Sequence, residues 1–385
     1  MKRVGWILVV CCLLLGFFPI GAEAADLTVA GKSAVLMDAA TGTVVYESNS
    51  HEALAPASVT KVMTMLLIME AIDSGKIGWD DMVTASEAAA AKGGSQIYLK
   101  VGETMTVSDM LKSIAVSSAN DCACAMAEHL AGSEEAFVQK MNDRAKELGM
   151  NDTNFVNCTG LDDAPDAANH RTSAHDIALM SRQLLKNHPD IKKFTTIWMD
   201  TVRGGAFGLA NTNKMVRFYS GCTGLKTGFT SGAGYCLSSS AERDGMELIA
   251  VVMGSTTSQE RFAACKSMLD YGFANFAVYM PALQEDASVP VTLGKMKAAK
   301  AVPAEEVSLL VEKDQLSSIT MDMMLEETVA APVSKGQKLG MLTIRAGEQV
   351  LSQIPLVAEE SVERKSWGDI FVDLLRQVAM AKPRE

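Results

Sequence analysis

The sequence predicts a two-part chain, an α+β domain followed by a small all-β domain. Three observations carry this reading. Strand-like segments flank a helix-rich middle, first at Ser33 to Met37 and Thr43 to Tyr46, then at Gly234 to Ala241 and Met246 to Gly254. Beyond Met280 the texture changes to Val, Thr and Leu segments broken by Gly and Pro. At 385 residues the chain also exceeds what one core usually organises.

Taken in order, Lys2 and Arg3 precede an apolar run from Trp6 to Ile20 and the small-residue site Ala22-Glu-Ala-Ala25, the pattern of a cleavable secretory signal over residues 1–24. The run is too short for a spanning helix. Ser33 to Tyr46 reads as a hairpin around Asp38-Ala-Ala-Thr-Gly42. Val59 to Ile72 is apolar on nearly every side and too long for an ordinary strand, so a buried helix is expected. Helices are expected over Val107 to Ala131, Glu134 to Leu148 and Ser173 to Leu185. The strands at 234–241 and 246–254 flank Glu242-Arg-Asp-Gly245, whose Asp-Gly suits a tight turn, and a helix follows from Ser258 to Phe273. Strands early and late place the two ends of residues 25–278 in one sheet. Residues 279–362, with Ala287 to Leu293, Val307 to Val311 and Lys338 to Ile344, form the β domain. In residues 363–385, Trp367, Ile370, Phe371, Leu374, Leu375 and Val378 recur at helical spacing opposite Asp369, Asp373, Arg376 and Gln377. Such a helix either packs on the β domain or lies on a membrane surface with Arg364, Lys365, Lys382 and Arg384 beside it, and the chain-end position favours the membrane.

The net charge of −11 argues against nucleic acid as a partner, and loss of residues 1–24 makes it one unit more negative. Cys11 and Cys12 would leave with the signal. Cys122, Cys124, Cys158, Cys222, Cys236 and Cys265 are too few for a disulfide framework in a chain this long. Cys122-Ala-Cys124 lacks a second cysteine or histidine pair at zinc-like spacing, so no metal or cofactor is expected. Buried free thiols are the favoured reading, with room for one bridge outside the cytosol.

Chemistry concentrates in three short motifs. Ser58-Val-Thr-Lys61 opens the buried helix after Pro56. At i, i+3 the serine hydroxyl and lysine amine share a face. A serine is a poor nucleophile until a base takes its proton, and Lys61 can serve only if its charged form is disfavoured by burial or by the helix N-terminus. A plain N-cap serine and a solvated lysine would explain the letters, but Lys61 stands amid Val62, Met63, Met65 and Leu66, where an unpaired charge is costly. Ser118-Ala-Asn120 interrupts an apolar segment, and Lys226-Thr-Gly228 resembles a strand edge where glycine admits a substrate backbone. Alone, a helix cap and a turn explain each of these equally well.

Together and in order, the three motifs resemble the active-site set of the serine penicillin-recognising enzymes across residues 30–275. Ala55-Pro-Ala-Ser-Val-Thr-Lys61, Ser118-Ala-Asn-Asp121 and Gly224-Leu-Lys-Thr-Gly228 are most similar to the versions in low-molecular-mass penicillin-binding proteins, the D-alanyl-D-alanine carboxypeptidases. The resemblance implies a β-lactamase/transpeptidase-like α+β domain, an antiparallel sheet flanked by helices, then a small β domain and a C-terminal amphipathic helix. It implies an exported enzyme acting on peptidoglycan stem peptides that end in D-Ala-D-Ala, with β-lactams as inhibitors. Ser58 would attack the carbonyl between the terminal alanines and Lys61 would take its proton. Ser118 and Lys226 would relay the proton to the leaving amine, and Asn120 would position the substrate amide. The backbone N–H groups of Ser58 and Phe229 would form the oxyanion hole. Lys226, Thr227 and Gly228 would bind substrate, and Arg261 would join them in receiving the terminal carboxylate, where the alternative is a surface arginine in an exposed ion pair. Phe229 stands where many relatives have His.

Two other functions compete. A class A β-lactamase needs a loop glutamate that activates deacylating water. Gly160 to Asn169 offers only aspartates, while Glu147-Leu-Gly-Met-Asn151 fits the letters but places its glutamate inside the helix expected from Glu134 to Leu148. A non-catalytic wall-binding protein of the same fold is the third reading, and the intact motif residues speak against it.

Overall fold

The computed structural model describes residues 27–163, 166–281, 287–305 and 307–380, with side chains as far as Arg376. The expected signal at 1–24, Ala164 and Pro165 of the 160–169 loop, and Lys382 and Arg384 lie outside the described residues.

The main sheet is antiparallel throughout, in the order Val44–Ser48, Ser33–Asp38, Met246–Ser255, Gly234–Arg243, Cys222–Thr230. Its central strands are buried on both faces. Val35, Met37, Ile249, Val251 and Met253 point into one core, and Ala34, Leu36, Leu248, Ala250 and Val252 into the other, as the period of two requires. The helix Ser258–Asn275 covers the second face, started by a capping box in which Thr257 and Glu260 satisfy each other's backbone N–H. Asp244 and Gly245 both take positive φ, 51° and 76°, the geometry of the tight hairpin expected there. The other face carries the helical middle, including Lys61–Asp73 and Ala174–Asn187.

Two helix expectations are corrected. The apolar run at 59–72 begins as a 3₁₀ turn, Ala57–Thr60, and becomes α-helical only at Lys61. The stretch from Val107 to Ala131 is two helices, Val107–Ser117 and Asn120–Ala131. They part at Ser118, whose left-handed φ of 62° ends the first helix and turns the chain before Asn120 starts the second.

The C-terminal region holds a six-stranded sheet in the order Ile319–Leu325, Lys338–Ala346, Gln349–Ala358, Ala298–Pro303, Ser288–Thr292, Val329–Ala330. Val289, Leu339, Leu342, Ile344, Ile354 and Leu356 form its core. The strand Phe276–Tyr279, which leaves the first region, pairs with Leu309–Glu312 and ties the two parts together. The last helix, Trp367–Met380, is anchored by Lys365 to Asp373 at 2.6 Å and leaves Trp367 89% and Phe371 63% exposed. Trp367, Phe371, Leu374 and Leu375 are therefore not packed on the β region. Among the described residues no helix is long and apolar enough to cross a membrane.

Candidate active site

The 3₁₀ turn that carries Ser58 is strained and braced. Ala57, the residue before it, sits at φ 49°, a region that side chains other than glycine rarely adopt. A chain of hydrogen bonds holds it: the Val156 N–H donates to His170 Nδ1 at 3.1 Å, His170 Nε2 meets Thr60 Oγ1 at 2.8 Å, and Thr60 Oγ1 donates to the Ala57 carbonyl at 2.8 Å. Because Nδ1 accepts, the proton of the neutral ring is on Nε2. Burial keeps His170 neutral, lowering its pKa to about 4. Gly160 packs so closely that a Cβ there would lie 1.8 Å from the Ala57 oxygen.

Lys61, the first α-helical residue, is fully buried. Its Nζ is 3.0 Å from Ser58 Oγ and 2.8 Å from the Thr159 carbonyl. That carbonyl is fixed by Asn157, whose Oδ1 accepts from the N–H groups of Thr159 at 3.1 Å and Gly160 at 2.6 Å. Burial pulls the Lys61 pKa down to about 7, against the opposing pull of Cys158 and Asp121.

The chain turns between the two helices at Ser118, and Ser118 and Asn120 are both buried. Asn120 donates through Nδ2 to the Gly93 carbonyl at 2.7 Å and through its backbone N–H to the Ser95 carbonyl at 2.7 Å. Its Oδ1 is buried without a partner, an acceptor free to take a substrate N–H. Asp121 receives the N–H groups of Ile97 and Leu99, so the 93–99 loop is strapped to this motif.

Lys226, Thr227 and Gly228 lie on Cys222–Thr230, the edge strand, as the sequence suggested. Lys226 is buried and donates to the Thr227 carbonyl at 2.9 Å. Burial, then the neighbouring charges of Lys61 and Arg261, hold its pKa well below the usual lysine range. Thr227 Oγ1 donates to Thr212 Oγ1 at 2.7 Å, and the Thr212 N–H bonds to the Val116 carbonyl at 3.1 Å, joining the strand to the helix that ends at Ser118. A Cβ on Gly228 would lie 2.7 Å from the Pro56 oxygen and 3.1 Å from the Ser58 nitrogen. Glycine is what lets the strand reach the nucleophile turn. The neighbouring Phe229 is 53% exposed, its ring 4.3 Å from that of Tyr235.

Arg261 is not the surface residue of the alternative reading. It is 8% exposed and lies between the rings of Tyr235 and Phe262. Its Nη1 donates to the carbonyls of Gly228 at 2.8 Å and Cys236 at 3.3 Å, while Nε is buried without a partner. Its charge is thus delivered behind the Lys-Thr-Gly strand. Glu147 ends the helix Glu134–Glu147 on the surface, 64% exposed and paired with Arg144 at 2.8 Å.

Sequence reasoning missed the Thr159 carbonyl, the His170–Thr60 brace and the Thr212 hydroxyl. Only the first left a trace: Asn157-Cys-Thr-Gly160 is turn-like, with an asparagine able to cap its own following amides. Among the described residues no group of three or more His, Cys, Asp or Glu side chains is placed to hold a metal ion.

Residues 20–257 match the family described as D-alanyl-D-alanine carboxypeptidase, and residues 281–364 match the C-terminal domain of penicillin-binding protein 5. The chain is 43% identical to the D-alanyl-D-alanine carboxypeptidase DacF of Bacillus subtilis over 376 residues, covering 94% of this chain and 95% of that one. Penicillin-binding protein 5 from Haemophilus influenzae superposes with a TM-score of 0.78 at 30% identity, covering 88% of this chain and 98% of that one. Penicillin-binding protein D2 from Listeria monocytogenes, in its ampicillin-bound form, superposes with a TM-score of 0.59 at 31% identity, covering 64% and 99%.

Proposed function

The chain belongs to the D-alanyl-D-alanine carboxypeptidase family of serine peptidases, and from that premise we propose that Ser58 is its nucleophile and Lys61 the base that activates it. The observation that carries this reading is the buried Lys61 amine, 3.0 Å from Ser58 Oγ, with a pKa lowered to about 7. A neutral amine there takes the serine proton as Oγ bonds to the carbonyl carbon of the penultimate D-alanine. The N–H groups of Ser58 and Phe229 receive the developing oxyanion. Ser118 and Lys226 pass the proton to the amine of the departing D-alanine, and Asn120 Oδ1 holds the substrate amide. Water then attacks the acyl-enzyme, with Lys61 again as base.

Thr227 with Lys226 receives the terminal carboxylate, and Arg261 adds charge from behind the strand. An arriving carboxylate favours protonated Lys226, so binding draws a proton into the site. Penicillin-binding proteins of this fold are bound by β-lactams, and here the ring would open onto Ser58 to leave a slow adduct.

The family works in the periplasm or cell wall. Residues 1–24 as a cleaved signal, residues 25–278 and 279–362 as successive domains, and the exposed apolar side of Trp367–Met380 against a membrane surface complete the proposal. The test is release of D-alanine from a defined pentapeptide ending in D-Ala-D-Ala, run beside labelling with a fluorescent penicillin. Persistent label and D-alanine release, both abolished in Ser58→Ala, are expected. No label would refute the serine chemistry, and label lost within seconds would mark a β-lactamase instead. Deleting residues 367–380 should free the protein from the membrane fraction, and retention there would make the helix structural.

A further inference from the structure

Two buried thiols that the reaction does not use meet behind the active site. Cys124 lies on the helix Asn120–Ala131, one turn after Asn120. Cys158 immediately precedes Thr159, whose carbonyl holds Lys61. Both are fully buried. One carboxylate gathers them. Glu134 Oε1 accepts from the Cys158 thiol at 3.2 Å and from the Cys158 N–H at 3.1 Å, while Oε2 lies 3.9 Å from Cys124 Sγ and 2.5 Å from the Lys92 ammonium. By contrast, the Cys236 and Cys265 thiols face backbone carbonyls in the core.

We propose that Cys124 and Cys158 become joined by a disulfide once the chain is outside the cytosol, and that the bridge pins the Thr159 loop to the helix that begins at Asn120. This rests on the extracytoplasmic location of the family, not on the assignment of Ser58. The step is a thiol–disulfide exchange with an oxidant that itself carries a reactive disulfide. One Cys thiolate attacks the oxidant's S–S bond, forming a mixed disulfide and releasing one oxidant thiol. The second Cys thiolate then attacks the protein sulfur of that mixed disulfide, expelling the other oxidant thiol as the protein S–S bond forms. The protein loses two electrons and two protons, and the oxidant leaves as two thiols. In the folded protein the neighbouring Cys124 thiol, then burial, hold the Cys158 thiol well above its usual range. The bridge therefore forms during folding, before the 157–161 segment closes over Cys124. It closes a loop of roughly 35 residues that contains the whole helix Glu134–Glu147, so it restricts the unfolded chain as well as the site.

The position is consequential because the loop and the helix hold opposite partners of the reaction. Cys158 also accepts Thr64 Oγ1 through its carbonyl at 2.7 Å, which already ties the segment to the Lys61 helix. A cross-link to Cys124 adds a third tie, fixing the distance between the acceptor of Lys61 and the helix that presents Asn120.

The test is to refold the full chain with a reduced and oxidised glutathione pair, block free thiols with iodoacetamide and map the peptides by mass spectrometry. A linked peptide pair containing Cys124 and Cys158 is expected, two hydrogens lighter than its reduced parts. Reduction should lower Tm by about 5 °C or more, and this redox dependence should vanish in the Cys124→Ser/Cys158→Ser double variant. If both cysteines are alkylated after oxidative refolding, or bridged to other partners, the proposal is wrong. It is equally wrong if the linked protein melts at the same temperature with and without reductant. A linked pair in a protein that releases no D-alanine would leave this inference standing and overturn the assignment of the active site.

Discussion

The region that holds Ser58 and the C-terminal β region fill their interiors by different rules. Lys61, Asn120, Asp121, Lys226 and Arg261 are all buried in the first, and among the described residues the second buries a single polar side chain, Thr343. The β core is otherwise Val, Leu, Ile and Ala. Taking an amine out of water without a carboxylate partner is costly, and the cost appears as the lowered pKa values of Lys61 and Lys226. The first region thus gives up stability to keep two amines less readily protonated than a free lysine, beside a serine. The second follows ordinary packing and carries no such cost. Chemistry and stability are therefore separable along this chain.

The sharpest way to break that contrast is Lys61→Met. With the base gone, acylation by penicillin should fall by about 10³-fold or more. Removing a buried, poorly compensated amine for an apolar chain of similar volume should at the same time raise Tm. Labelling kinetics and calorimetry on the same preparation read both, and a lowered Tm would show that Lys61 supports the fold. Leu342→Ala is the complementary variant, since Leu342 is 1% exposed in the β core. It should cost about 2–5 kcal/mol in the unfolding of that region while the acylation rate of folded protein stays unchanged. A slower acylation would mean that the two parts are coupled through the Phe276–Tyr279 pairing.

A third test uses pH alone. Lys61 must be neutral to act, and its pKa is lowered to about 7. The acylation rate should therefore rise with pH through neutrality and level off above it, and at pH 5 it should be about 50-fold below its value at pH 7. A profile flat across that range would remove Lys61 as the base.

The sequence made the motif residues legible because their chemistry is carried by side-chain type and spacing. Ser58 and Lys61 fall three apart, and the Lys-Thr-Gly glycine marks a close approach that the Pro56 oxygen and Ser58 nitrogen now explain. The break at Ser118 was not legible, because an apolar segment with good helical periodicity runs through it and only the backbone angle reveals the turn. The partners that are backbone carbonyls, Thr159 for Lys61 and Gly93 for Asn120, have no side-chain signature at all. Arg261 was found by its motif position, yet that said nothing of its burial between two rings, which depends on how the helix Ser258–Asn275 crosses the sheet.

His170 gives the smallest effect and the finest probe of the same contrast, because it is a buried polar group that braces the nucleophile turn without taking part in the reaction. Its folded pKa of about 4 lies below the ordinary value of 6.5, so protons favour the unfolded chain. The stability it contributes is complete above pH 6.5 and is lost as pH falls toward 4. Between pH 7 and pH 5 the loss should be about 2 kcal/mol. Denaturant unfolding of the wild type and of His170→Gln at both pH values isolates this share from the carboxylates, which titrate in both proteins. The variant should be less stable than the wild type at pH 7 and should close the gap at pH 5. A gap that stays constant would mean that the ring is not held neutral, and the brace on Ala57 would then have to come from Thr60 and the close packing of Gly160 alone.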